Sequence, residues 1–149
     1  MTSHSAPSSI LYLAAVLSII AGVIHILVTP EHFGEWWGYG LFFLATVATQ
    51  LLWAPMVIRW PRQMVLIAGI AGNAAIAAMW ALSRSIGVPL FGPSVGEIEP
   101  VGALDVISTV AEIALVAMLA LIVVSAMRQI RETPAPLTGG VAATSRTTL

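Results

Sequence analysis

The chain has 149 residues, of which 58% are hydrophobic and 9% charged, with a formal net charge of −1 and no cysteine. Ordinary soluble domains are about 25% charged, and a small domain hides only about two-thirds of its surface, so this composition excludes a water-soluble globule and makes lipid the solvent for what is left over. The charge balance gives no footing for nucleic acid, and the lack of cysteine excludes disulfides, thiolate metal sites and thiol redox chemistry.

Residues 1–9 are polar and carry no Lys or Arg. A secretory signal has a basic n-region and a small-residue cleavage site, so the first apolar run reads as a retained helix. His4 lies in this tail and is given no role. Apolar runs then occupy residues 10–28, 38–58, 63–83 and 101–125. Each holds roughly 19–25 residues, enough to cross about 30 Å of hydrocarbon. In lipid such runs must be helical, because every backbone amide needs an internal partner.

The connections differ in character. Thr29, Pro30 and Glu31 look like a cap, a first-turn proline and a dipole-matched acid, which predicts a short interfacial helix over residues 29–37. Residues 59–62 form a tight turn, with Pro61 placed to open the third helix. Residues 84–100 form the longest loop, and residues 128–149 read as a disordered cytoplasmic tail rich in Pro, Gly and Thr.

Orientation follows from arginine, since the chain has no lysine. Arg59 and Arg62 lie in the middle turn, Arg128 and Arg131 follow the fourth run, and Arg84 stands alone on the other side. The positive-inside rule then places both termini in the cytoplasm. Trp36, Trp37, Tyr39 and Trp80 match an outer aromatic belt and Trp60 an inner one. The expected fold is all-α: an up-down-up-down bundle of four transmembrane helices, N-in/C-in, spanning residues 10–127 and multi-pass in the cell (plasma) membrane.

Polar residues inside the runs are aligned. Ser18, Gly22 and His25 share a helical face, as do Thr46, Gln50 and Trp53; Asn73, Ala77, Trp80 and Arg84; and Asp105, Thr109 and Glu112. The economical packing turns all four stripes inward. At about 1.5 Å rise per residue, Gln50, Asn73 and Glu112 fall about 15–18 Å from the outer ends of their helices. His25 and Asp105 fall about 5–6 Å in. The expected interior therefore has two tiers, Gln50, Asn73 and Glu112 at mid-depth and a His25–Asp105 pair near the mouth, with Trp80 also facing inward.

A carboxyl at mid-membrane marks function more often than not, and the plain alternative for Glu112 is interhelical glue held by Asn73 or Gln50. His25 and Asp105, closed from above by His32 and Glu35, could bind a divalent metal through nitrogen and oxygen. The plain alternatives are a structural His–carboxylate pair and a solvated interfacial helix. Arg84 is expected to pair with Glu97, Glu99 or Glu35 and dock the long loop. No nucleophile elbow, phosphate loop or His-Glu-x-x-His motif is present, and there are no clustered histidine pairs.

Residues 25–37, His-Ile-Leu-Val-Thr-Pro-Glu-His-Phe-Gly-Glu-Trp-Trp, are followed by Gln50-Leu-Leu-Trp-Ala. Further on stand Ser83-Arg84, Gly87, Pro89 and Gly92-Pro93, then Glu99, Asp105 and Glu112. This pattern resembles a group of small, uncharacterised four-helix integral membrane proteins common in actinobacteria, over residues 14–121. The resemblance implies the fold and a membrane location, and no activity.

Three readings follow. The first is an outward-facing polar site that binds a metal ion or a proton in a sensing or transport-related role. The second is a non-catalytic accessory or scaffold subunit, with a membrane protein or a second copy as partner. The third is an enzyme using Glu112 or His25 as acid–base. A water-accessible cavity reaching Glu112 would favour the first, and a dry interior the second.

Overall fold

In a computed structural model, residues 8–88 and 92–132 are described. The chain forms four helices: α1 (Ser8–Glu35), α2 (Trp37–Arg59), α3 (Gln63–Ser85) and α4 (Ala103–Glu132). All four are long and apolar enough to cross a membrane, as expected of a multi-pass membrane protein. They pack in a ring, α1 on α2 and α4, α3 on α4 and α2. The α1–α2 seam is the most extensive and the α2–α3 seam the thinnest.

The outer surface has the composition that lipid requires. Leu13 and Leu27 on α1, Leu44 and Leu52 on α2, Met64 and Ile67 on α3, and Val110, Ile113 and Leu121 on α4 are all exposed. So much contiguous exposed apolar surface is foreign to soluble monomers. The interior divides in two. Leu11, Ala14, Ala15, Trp53, Ala54, Val57, Leu66, Leu115 and Leu119 form an apolar cluster. Buried polar residues form the second part: Ser18, His25, Thr46, Gln50, Asn73, Ser83, Ser108, Thr109 and Glu112.

The short interfacial helix is not separate. α1 runs unbroken through Pro30 to Glu35. Proline removes one helical N–H and crowds the carbonyl four residues back, at a cost of about 3 kcal/mol. Local side chains help the helix continue. The Thr29 hydroxyl donates to the His25 carbonyl at 2.6 Å, and His32 Nδ1 lies 2.9 Å from the Val28 carbonyl. Only Trp36 separates α1 from α2. α3 opens at Gln63, where the third run was expected to begin, and α4 runs from Ala103 to Glu132, past the expected end at residue 125. Of the polar N-terminal tail residues 8–9 are helical, and of the expected disordered C-terminal tail residues 128–132 are; the remainder of both lies outside the described residues.

The α3–α4 connection folds back on the end of the bundle that carries the α1–α2 junction. A Cβ on Gly92 would lie 2.2 Å from the Tyr39 hydroxyl oxygen. Gly87, at φ +78, would drive a Cβ to 2.4 Å from the Gly96 carbonyl carbon, so both its conformation and its space demand glycine. This is the loop end of the bundle.

At the other end, Gly69 of α3 lets Trp53 approach. The indole Nε1 donates to the Val65 carbonyl at 2.8 Å, and a Cβ on Gly69 would sit 2.4 Å from the indole ring. Gly69→Val is therefore expected to destabilise the bundle by about 1–3 kcal/mol, the range for overpacking. Unfolding in bicelles, read by Trp fluorescence, checks this.

Candidate functional site

The polar interior is built around Gln50, which is 2% exposed. One carbonyl sets the direction of a whole chain of hydrogen bonds. Asn73 Nδ2 donates to the Gly69 carbonyl at 2.9 Å, which leaves Asn73 Oδ1 facing Gln50. Gln50 Nε2 donates to that oxygen at 3.3 Å and to Glu112 Oε1 at 2.9 Å. Its amide oxygen then faces His25 Nδ1 at 3.0 Å. An amide oxygen only accepts, so His25 Nδ1 carries the proton. The second ring nitrogen, Nε2, is turned to Glu112 Oε1 at 3.8 Å. That distance is too long for a direct hydrogen bond, and short enough for a small shift or one water to close it. Residues from all four helices thus meet in one network. Ser18 adds a further α1–α2 tie, donating to the Gln50 carbonyl at 2.9 Å.

At the loop end a second cluster surrounds Arg84. Its guanidinium donates to Glu99 Oε2 at 2.5 Å and to Asp105 Oδ2 at 2.7 Å. It also donates to Ser83 Oγ at 2.7 Å. Glu99 N donates to the Ser83 carbonyl at 3.1 Å, which fastens the loop to the end of α3. Asp105 Oδ2 additionally accepts from Gly102 N at 3.0 Å, a cap on the first turn of α4.

The two clusters share one partly open cavity of about 80 Å³. His25 and Glu112 line it, and so do Arg84, Glu99, Asp105 and His32. A water needs about 10–15 Å³ of such space, so the cavity has room for several. Two donors on α3, Trp80 Nε1 and Arg84 Nε, are buried with no hydrogen-bond partner among the described residues. Both residues line the same cavity.

The expected site residues are distributed as follows. Gln50, Asn73 and Glu112 are buried together, at 2%, 5% and 1% exposure, and Trp80 is half-buried with its ring nitrogen sealed. His25 joins this group rather than pairing with Asp105. The reason is the length of α1: its end lies at Glu35 rather than near Val28, which places His25 about 15 Å from that end by helix rise. Asp105 is engaged by Arg84 instead. His32 stacks on Phe43 with ring centroids 3.8 Å apart, and Glu35 is exposed. Among the described residues, no group of three or more His, Cys, Asp or Glu is placed to hold a metal ion. Arg84 takes Glu99 as a partner, while Glu97 is exposed and Asp105 supplies the second carboxylate. The Asp105 partnership was detectable in the sequence. Arg84 closes α3 and Asp105 opens α4, each at the helix end where its charge suits the dipole.

Comparison with family models, with curated proteins and with solved structures finds no match.

Proposed function

We propose that the protein is a cell-membrane, up-down-up-down four-helix protein, with both termini cytoplasmic, that binds a proton at Glu112 and His25 in a sensing or transport-related role. The observation that carries this reading is the cavity: it brings the buried Glu112–His25 pair and the loop-end ion pairs onto one wall system. His25 and Glu112 face each other through Nε2 and Oε1, so a single proton there could reside on either group. An intramembrane carboxyl is costly and marks function more often than not, and here its proton-accepting neighbour is His25.

The test is an infrared pH titration of the protein in lipid nanodiscs. One protonated-carboxyl band should titrate, vanish in Glu112→Gln and shift its midpoint in His25→Gln. Absence of any titrating band lost in Glu112→Gln would overturn the proton site. Orientation is tested separately, with C-terminal reporter fusions that should report a cytoplasmic position, as the arginine asymmetry implies. Membership of the small actinobacterial four-helix group belongs to the same proposal, on the residue pattern described above.

A metal ion at the loop end is the competing ligand. His25 sits in the Gln50–Glu112 network and Asp105 in the Arg84 cluster, and among the described residues no group of three or more His, Cys, Asp or Glu is placed to hold a metal ion. His25→Ala and Asp105→Ala are therefore expected to bind zinc, manganese and iron as wild type does, measured by metal content and thermal melting. A loss of binding in both would restore the metal reading.

The scaffold reading keeps one observation in its favour. Gln50 ties α2 to the other three helices through its own side chain, which is what interhelical glue does.

A further inference from the structure

The Glu112–His25 pair has different surroundings above and below it. Toward the loop end lies the cavity. Among the described residues, its walls come only from the halves of the four helices nearest that end and from the α3–α4 connection. Arg84, Glu99 and Asp105 stand at its loop-end side with part-exposed side chains. Along α4 the cavity reaches no deeper than Glu112, two turns past Asp105, or about 10 Å by helix rise.

Toward the opposite end, where the α2–α3 turn lies, the interior is apolar. Ala14 of α1, Ala54 and Val57 of α2, Leu66 of α3, and Leu115 and Leu119 of α4 are all buried in one cluster. From Glu112 to Leu119 this layer is about 10 Å deep. The polar side-chain groups that adjoin it, Trp53 Nε1 and Ser18 Oγ, each donate to a backbone carbonyl, so neither is left to hold water. Apolar cavities stay dry, and apolar constrictions block passage by shedding water. A proton travels on water or on titratable side chains. The titratable and charged groups around the pair all lie on the cavity side: His32 from α1, Tyr39 from α2, Arg84 from α3, Asp105 from α4 and Glu99 from the connection. Gln50 and Asn73, which complete the network, are neutral amides. To pass a proton onward the layer would have to part, against the Trp53–Val65 bond and the indole seated on Gly69.

Given the proton site proposed above, we propose that it exchanges protons with the loop side alone, so that the protein senses acidity on that side and does not conduct protons across the membrane. With both termini cytoplasmic, the loop side is the external one.

The protein, carrying one added C-terminal cysteine in a chain that has none, is reconstituted in phospholipid vesicles with a buffered interior and equal potassium on both sides. An impermeant maleimide gives the fraction of molecules whose C-terminal end, opposite the loop end, faces outward. The external pH is then stepped. The carboxyl infrared band that disappears in Glu112→Gln is followed before and after nigericin equalises the two sides. The share of the band that follows the step before nigericin is expected to match the fraction with the loop end outward, and the remainder to follow only afterwards. In a separate arm, proton uptake driven by a valinomycin potassium potential should equal that of protein-free vesicles. A whole band that responds before nigericin, a share that matches the opposite orientation, or uptake above that of protein-free vesicles overturns the one-sided site. A band that fails to titrate even after nigericin overturns the proton site itself, so the two failures are told apart.

Discussion

Gln50→Leu is expected to destabilise the bundle by about 2–5 kcal/mol, several times the average of about 0.6 kcal/mol for a hydrogen bond between membrane helices. The difference arises because one side chain serves three partners. Its loss removes the hydrogen-bond partner of His25 Nδ1 and of Glu112 Oε1, at 3.0 and 2.9 Å. Asn73 suffers less, since it keeps its bond to the Gly69 carbonyl. The cost is thus that of leaving a buried histidine and a buried carboxyl without their partner, which is more expensive than the bond itself was worth. Leucine has nearly the volume of glutamine, so a cavity contributes little. The double variant Gln50→Leu/Glu112→Leu should recover part of the loss, because an apolar pair leaves one fewer polar group unmatched. Unfolding in bicelles measures both. A double variant less stable than Gln50→Leu would mean that Glu112 has a stabilising partner other than Gln50.

The second large effect is expected at Arg84. Arg84→Met should loosen the α3–α4 connection and cost about 2–4 kcal/mol, below the range of about 3–5 for breaking a fully buried pair. The discount reflects exposure: the Arg84 side chain is 14% exposed, and those of Glu99 and Asp105 are 27% and 22%. Two carboxylates that share one guanidinium would then face each other with no cation between them. Hydrogen exchange over residues 92–102 should rise, most clearly at the Glu99 amide, which is bonded to the Ser83 carbonyl. Arg84→Lys should recover only part of the protection, because a point charge cannot reproduce the fork that meets two acceptors at once. Unchanged exchange in Arg84→Met would show that Gly92 against Tyr39 suffices to hold the loop.

The four spans could be read in the sequence because lipid leaves few alternatives for a run of twenty apolar residues. The inward polar stripes were legible for the same reason: Gln50, Asn73 and Glu112 have nowhere else to go. Pro30 misled, because a proline after threonine and before glutamate carries the signature of a helix start. The bonds of Thr29 and His32 to the preceding carbonyls, which favour continuation, are not visible in composition. That one error displaced His25 by about two turns in depth and so gave it the wrong neighbour. The hub role of Gln50 could not be read either. Depth alone allows Glu112 to pair with Asn73 or Gln50, and the choice falls to the Gly69 carbonyl, which turns the Asn73 amide and everything bonded to it. The sealed nitrogens of Trp80 and Arg84 left a faint trace: two donor-only groups four residues apart on the stripe that also carries Asn73 and Ala77.

The Gln50 network also bears on how the chain is made. Ribosomes deliver α1 and α2 first, and these two share the largest seam of the bundle and the His25–Gln50 bond. Until Asn73 and then Glu112 emerge, the Gln50 amide nitrogen lacks both of its acceptors. A half-synthesised or truncated protein therefore exposes an unsatisfied amide at mid-membrane, the kind of defect that quality-control proteases act on. The arrival of α4 supplies the Glu112 acceptor and so completes the bundle and its hydrogen-bond network together.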